Sequence, residues 1–302
     1  MSPSPAKSCA LCSRELREET KRGKFESVLT YHTCDYCKTS FLDERHKKDG
    51  ERYYTREYEA WFYQNRDGRI PILHAFSDAT ARVFLLSTRE KLAGRRVLDI
   101  GCGFAGTLRL LKALGAEVQG IEPSAACARF DREVLGLPVH EGFLESFPSG
   151  NRFDLITLFD VIEHVEDPAQ TLRRAGAHLA EGGTLFFTTP HNKRSGQSVI
   201  FQQSHLLLFS LHSLDGVVRE AGFTIREVLL FGGSLNIFAT KTGAASKGDS
   251  PFPAAFLEDY EKSFLRKYGR NKILAMLWRL PRLARYHFLS RALYRRLPVK
   301  NL

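Results

Sequence analysis

Asp160, Glu163 and His164 stand at positions i, i+3 and i+4 just beyond the apolar run Phe153 to Leu158. On a helix that begins where a strand ends, the three share one face. A histidine set among carboxylates can take the proton of a hydroxyl nucleophile, and such help typically contributes about 10²–10⁴-fold. A second set of residues lies earlier in the chain. Asp99 comes two residues before Gly101, Cys102 and Gly103 follow, and Glu122 lies 23 residues beyond Asp99. The glycines Gly101, Gly103 and Gly106 fit G-x-G-x-x-G, which alone suggests a dinucleotide. Asp99 argues against one. A pyrophosphate wants backbone N–H groups and a helix N-terminus, and a carboxylate at the strand tip repels it. A ligand with an ammonium and a sulfonium is attracted by the same carboxylate, which points to S-adenosylmethionine. Glu122 stands at the spacing at which an acid accepts hydrogen bonds from ribose hydroxyls.

The third set is made of cysteines. Cys9-x-x-Cys12 and Cys34-x-x-Cys37 are separated by 21 residues. Two such pairs make a tetrahedral four-thiolate site suited to Zn²⁺, and four protein ligands leave no open position, so the expected role is structural. The gap is slightly longer than in the usual ribbon. Cys102 and Cys127 stand alone.

These residues need strand tips and loops to hold them. Val97 to Ile100, Val118 to Ile121, Val139 to His140, Phe153 to Leu158 and Thr184 to Thr188 read as strands. Thr107 to Leu114, Ser124 to Leu135, Pro168 to Leu179 and Leu214 to Ala221 read as helices, with Ser124 as an N-cap. Phe223 to Phe231 and Leu235 to Lys241 read as a closing antiparallel pair. The alternation predicts an α/β fold, a doubly wound, mostly parallel seven-stranded sheet covered on both faces. Five regions are expected: a zinc-ribbon-like module at 1–50, an aromatic helical connector at 51–94, the cofactor-binding domain at 95–241, a linker at 242–261, and a basic helical tail at 262–302.

Val97–Gly106, Gly120–Ser124, Phe153–Val165 and Leu179–Leu185 together resemble the class I S-adenosylmethionine-dependent methyltransferases, over about residues 80–241. The resemblance implies that Asp99, Gly101, Cys102 and Gly103 hold the methionine part and that Glu122 holds the ribose. The adenine-side place falls on Phe143, where the family often has an acid, so the backbone or Glu145 is left to contact the base. Asp160 completes the cofactor side. In ubiquinone-pathway O-methyltransferases and small-RNA 2′-O-methyltransferases, a similar acid-x-x-Glu-His segment binds a divalent cation. That implies a second site for Mg²⁺ or Mn²⁺ at Asp160, Glu163, His164 and His205, where the cation would polarise a substrate hydroxyl. Capping and packing are the alternative roles for Glu163 and His164, and His191 is a further candidate lining residue. A cysteine ribbon followed by Tyr53, Tyr54, Tyr58 and Trp61 resembles bacterial methyltransferases of polysaccharide and sugar pathways, in which the N-terminal part helps form the substrate side. The implied acceptor is a hydroxyl or carbon of a glycan, a nucleotide-sugar or a lipid-linked small molecule.

Composition bounds the alternatives. The chain of 302 residues is 43% hydrophobic and 26% charged, which predicts a packed core. The net charge is +10, but residues 262–302 carry twelve Lys or Arg and no Asp or Glu, so the remainder sums to −2. Basic character confined to the tail weighs against nucleic acid as a partner of the body. Arginines among large apolar residues in the tail suit an anionic membrane surface, or packing against the chain's own domain or a partner. The polar start Met1-Ser2-Pro3-Ser4-Pro5 and the lack of a long uncharged apolar run predict a cytoplasmic protein, peripheral on the membrane if the tail binds lipid. An RNA 2′-O-methyltransferase and a non-catalytic zinc-containing scaffold are the competing readings.

Overall fold

The structure is a computed structural model that describes residues 8–22, 28–57, 83, 86–87, 89–148, 150–191, 201–231 and 234–242. The chain divides into the units Met1–Ala254 and Ala255–Leu302. The second unit lies outside the described residues, and with it the expected basic tail; the linker at 242–261 beyond Thr242, most of the connector, Tyr58 and Trp61 lie outside them too.

The central strands are β4 (Arg96–Ile100), β5 (Glu117–Glu122), β6 (Val139–Glu141), β7 (Phe153–Phe159) and β8 (Leu179–Pro190). The middle strands of the sheet form because β-branched and large apolar residues dominate them, as in strands covered on both faces, while the strands toward the β6 edge are more polar and partly exposed. Val97, Leu98, Leu155, Ile156, Leu158 and Leu185 have no exposed surface. The strands β10 (Phe223–Phe231) and β11 (Ser234–Lys241) complete a seven-stranded sheet in the order β10-β11-β8-β7-β4-β5-β6. Pairing is parallel from β8 to β6, and β11 runs antiparallel to both β8 and β10. The chain leaves β4 toward β6, then returns to place β7 on the other flank of β4. The order therefore reverses at β4, and ligands of such sheets bind beyond the strand ends at that reversal.

Four helices connect these strands: α1 (Gly106–Ala113), α2 (Ala125–Glu133), α3 (Pro168–Ala177) and α4 (Leu211–Glu220). Their starts are encoded locally. Ser124 accepts from Cys127 N, Asp167 accepts from Gln170 N with Pro168 at the first turn, and Ser210 and Ser213 form a reciprocal capping box. The segment Glu181-Gly182-Gly183 lies inside β8 as an irregularity: pairing with β7 jumps from Phe153↔Leu179 to Leu155↔Thr184.

A second, four-stranded sheet holds the cysteines. Its order is β1 (Leu16–Arg22), β2 (Val28–Cys34), β3 (Ser40–Leu42) and β9 (Leu207–Leu208). The expected module of residues 1–50 therefore does not close on itself. Its last strand comes from the segment between β8 and α4, and Phe201 and Leu208 join Leu29, Tyr31 and Leu42 in its core. After it, Gly50–Arg52 and Tyr53–Glu57 make short helical turns, the latter with π-type bonding.

Candidate active site

The glycine turn leaves β4 at Gly101, whose φ is +71°. A Cβ there would lie 2.7 Å from Val161 Cγ2, so only glycine fits where the tips of β4 and β7 meet. Gly103 has a φ of +56° and open space where a Cβ would stand, leaving its backbone accessible to a ligand. Asp99, nearly fully buried at the tip of β4, accepts a hydrogen bond of 2.7 Å from Thr157 Oγ1 on β7. Thr157 is the one polar side chain in Leu155–Phe159, a signal that sequence reasoning passed over.

Glu122 ends β5. One of its carboxylate oxygens accepts from Gly103 N at 2.7 Å, and the other accepts from Ser124 N at 2.9 Å. Burial pushes its pKa up to about 7, against the pull of those two N–H groups. Beneath the turn Cys102 Sγ lies 3.9 Å from Asp131 Oδ2. Burial, with nearby Glu122, lifts Asp131 to about 8, and burial among the acids lifts the Cys102 thiol well above its ordinary range. The turn is thus flanked by the carboxyl groups of Asp99 and Glu122, which when ionised favour a cationic ligand and disfavour a phosphate, with Asp131 buried beneath them. Asp131 was not among the sequence candidates; an acid among the charged residues Arg129, Arg132 and Glu133 of the amphipathic run Ala125–Glu133 carries no local mark of burial.

Phe143 follows β6, and Gly142 N donates to Glu122 O, so Phe143 stands beside the tip of β5 with its ring partly exposed. Glu145 does not turn toward that site; it pairs with Arg174 of α3.

Beyond β7 the arrangement departs from the expected helical face. Asp160 adopts a φ of +54°, and Ile162–His164 form a single 3₁₀ turn. Left-handed non-glycine residues are uncommon, with Asp among those that tolerate the region. Asp160 is held there by β8: its N donates to Thr188 O at 3.1 Å and Thr188 Oγ1 donates to Asp160 Oδ1 at 2.8 Å. Glu163 has no exposed surface, and its Oε1 lies 4.0 Å from His164 Nε2. His164 Nδ1 donates to Ser204 O at 2.6 Å. A carbonyl only accepts, so Nδ1 carries the proton and Nε2 presents its lone pair. Burial holds the His164 pKa below the ordinary range, opposed by the Ser204 carbonyl and by Asp160.

His205 is brought to this turn, with ring centroids 4.8 Å from His164. Ligand atoms of Glu163, His164 and His205 lie within 4.8 Å of one another. Asp160 is outside that cluster, which corrects the expected four-residue set; its carboxylate is engaged by Thr188 instead. Tyr54 meets His164 edge-on at 5.8 Å, and Tyr53 packs on Tyr54 at 5.0 Å. His191 is buried at the end of β8 and bridges to Phe209.

The cysteines gather in two matching turns. Ser13 N donates to Cys9 O and Cys9 N to Arg14 O; likewise Lys38 N donates to Cys34 O and Cys34 N to Thr39 O. Ser13 and Lys38 both take left-handed φ values, 59° and 57°. Cys9 Sγ lies 3.6 Å from Cys37 Sγ and Cys12 Sγ 3.5 Å from Cys34 Sγ.

Among known proteins, the family profile described as "Methyltransferase domain" matches residues 69–228. A ubiquinone biosynthesis O-methyltransferase of Aromatoleum aromaticum is 38% identical over 105 residues, 32% of this chain and 45% of that protein. The enzyme of the same name from Pseudomonas putida is 34% identical over 135 residues, 41% of this chain and 56% of that protein. The chain spans about half the length of the curated relatives it matches. A solved magnesium protoporphyrin IX methyltransferase from Synechocystis, with bound S-adenosylhomocysteine, covers 63% of this chain and 97% of its own at 17% identity and a TM-score of 0.47. With the profile spanning more than half of the sequence, this chain belongs to the methyltransferase domain family and is a class I S-adenosylmethionine-dependent methyltransferase.

Proposed function

We propose that the chain transfers the methyl group of S-adenosylmethionine to a hydroxyl of a small-molecule acceptor, with His164 as the base. The observation that carries this reading is the 2.6 Å bond from His164 Nδ1 to Ser204 O, which places the ring proton on Nδ1 and leaves Nε2 unprotonated. When bound, the cofactor supplies an electrophilic methyl carbon. The residues fit it: the carboxyl groups flanking the turn, when ionised, suit its positive charges, and Glu122 has lone pairs left for two ribose hydroxyls. Methyl transfer is an in-line displacement, so most of the rate comes from holding the acceptor in position. Nε2 takes the acceptor's proton as its oxygen bonds to the methyl carbon and the carbon–sulfur bond breaks. Labelled methyl transfer into the small-molecule fraction of an extract of the source organism tests this. His164→Gln is expected to keep cofactor affinity and lose about 10²–10⁴-fold in turnover; full turnover in the variant would overturn the assignment.

The similarity to ubiquinone biosynthesis O-methyltransferases supports an O-methyl acceptor of small size. A glycan, nucleotide-sugar or lipid-linked acceptor is the narrower class, supported by the cysteine ribbon and by the Tyr54 ring packed edge-on against His164. Cys9, Cys12, Cys34 and Cys37 are proposed to hold Zn²⁺. At Zn–S bonds of about 2.3 Å a tetrahedron has sulfur–sulfur edges of about 3.8 Å, close to the two separations found. One zinc per chain by elemental analysis is expected, and none would sink this site. The cluster Glu163, His164 and His205 favours a second reading, in which a divalent cation polarises the acceptor hydroxyl. Turnover that survives exhaustive chelation and does not respond to Mg²⁺ or Mn²⁺ rejects it. No helix among the described residues is long and apolar enough to cross a membrane. Contact with anionic lipid through residues 262–302 remains a proposal, supported by their charge and tested by vesicle flotation.

A further inference from the structure

The cysteine ribbon and the active-site histidines are joined by a continuous ladder of backbone bonds. Strand β3 pairs with β9 at Ser40↔Leu208 and Phe41↔Leu207. One residue further along, Leu42 N donates to Leu206 O at 2.9 Å. Leu206 faces both ways, because its own N donates to Glu163 O at 2.8 Å. Two residues before it, the Ser204 carbonyl fixes the proton on His164 Nδ1. His205 lies between them, and its placement beside His164 follows from the placement of its neighbours. The far end of this segment is tied to the cysteines directly. Ser210 Oγ donates to Cys37 O at 2.5 Å, and His212 packs edge-on against Tyr36 between the second pair of cysteines. Phe201 and Leu208 are buried in the ribbon's own core.

The segment 201–210 thus belongs to the ribbon by packing and to the active site by hydrogen bonding. A two-residue strand has too few bonds to hold itself. Its position is set by what it pairs with, and β3 is held in turn by the strand that ends in Cys34. We infer that the cysteine ribbon is a positioning element of the active site: through Leu42 and Leu206 it fixes the tautomer of His164 and the place of His205. The inference rests on the proposed zinc site and on His164 as the base. It makes the metal in the cysteine cage a control on the acceptor-side half of the site. The cofactor half, at the tips of β4 and β5, shares none of these bonds.

The test uses the full-length protein and asks nothing of the unidentified acceptor. Ring-nitrogen signals of His164, assigned with the His164→Gln variant, report which nitrogen carries the proton. Cofactor affinity is measured on the same samples by calorimetry. In zinc-loaded protein the expected pattern is a single tautomer with the proton on Nδ1. Stripping the zinc with a chelator should replace it by a mixture of tautomers, and returning zinc should restore it. Over the same cycle S-adenosylmethionine affinity should change by about twofold or less, as for sites with no shared partner. A second variant separates positioning from unfolding of the ribbon. Leu206→Pro removes the donor to Glu163 O and leaves the cysteines in place; it should release the tautomer at full zinc content. A His164 pattern indifferent to both zinc removal and Leu206→Pro overturns the inference, as does loss of cofactor binding in parallel with the tautomer. A protein that binds no S-adenosylmethionine in either state would instead fault the proposed function.

Discussion

The buried acid at the tip of β5 makes cofactor binding depend on pH near neutrality, well above the range in which an ordinary surface carboxylate titrates. Glu122 accepts from Gly103 N and Ser124 N, and two ribose hydroxyls would complete its four acceptor positions. A proton on either oxygen would have to displace one of those donors, so the bound form is the ionised one. In the free protein burial raises the pKa to about 7. At pH 6 about ten in eleven molecules then hold the unwanted proton, and at pH 8 about one in eleven, so affinity should tighten about tenfold, or about 1.4 kcal/mol, across that interval. Asp131, lifted to about 8, and Cys102, lifted further, keep their protons through most of this range and leave Glu122 as the titrating neighbour. Calorimetry in two buffers of different ionisation enthalpy should show proton release at pH 7, with S-adenosylhomocysteine used alongside the sulfonium form. Glu122→Gln should bind more weakly and without this slope. The sign also appears in stability. A pKa raised from 4.5 gives a contribution that is complete below 4.5 and is lost as pH rises through about 7, so the free protein should melt lower at pH 8 than at pH 5 and regain the difference on binding. Affinity that is flat or weaker from pH 6 to pH 8, with no proton exchanged, would refute the reasoning.

Other perturbations test the frame of the site. Gly101→Ala places a Cβ 2.7 Å from Val161 Cγ2 at a φ of +71°; left-handed backbone alone costs about 1–2 kcal/mol, and denaturant melts should show at least that loss together with weakened cofactor binding. Thr157→Val keeps the shape of β7 but removes the donor to Asp99; a bond to a charged group is worth about 1.5–3 kcal/mol, a loss that urea melts of the free protein should reveal. Asp131→Asn should stabilise the free protein. A carboxyl raised from 3.8 to about 8 loses its stabilising contribution as pH rises through about 8, so the variant's gain at pH 7 could reach about 4 kcal/mol; a gain no larger at pH 8 than at pH 5 would contradict the assignment.

The part of this molecule that could be read from sequence is the part whose physics is local. Val97 to Ile100 and Phe153 to Leu158 are apolar runs of strand length, and both are central parallel strands. Ser124 caps a helix with its own side chain, and Gly101 and Gly103 take the positive φ values that their lack of a Cβ permits. The strands of the ribbon could not be read this way. Leu16–Arg22 is Leu-Arg-Glu-Glu-Thr-Lys-Arg, with no apolar face to bury, and it is a strand because its partner ends in the cysteine cage. The geometry after β7 was also hidden. Helical spacing at Asp160, Glu163 and His164 is real in sequence, but Thr188 on a neighbouring strand pins Asp160 in a conformation that no helix contains. Local pattern carries no term for such a partner. His205 and Leu206 extend the same point, since they reach the site only because a strand of two residues completes a distant sheet. Cofactor recognition therefore sits where the sequence is self-explanatory, on strand tips with their own glycines and caps. The surroundings of His164, proposed as the acceptor side, are assembled from separate stretches, Tyr53–Glu57, Ile162–His164 and residues 201–210. Substitutions in the ribbon can thus reshape the acceptor side while the donor site stays intact, as expected where one fold serves many acceptors.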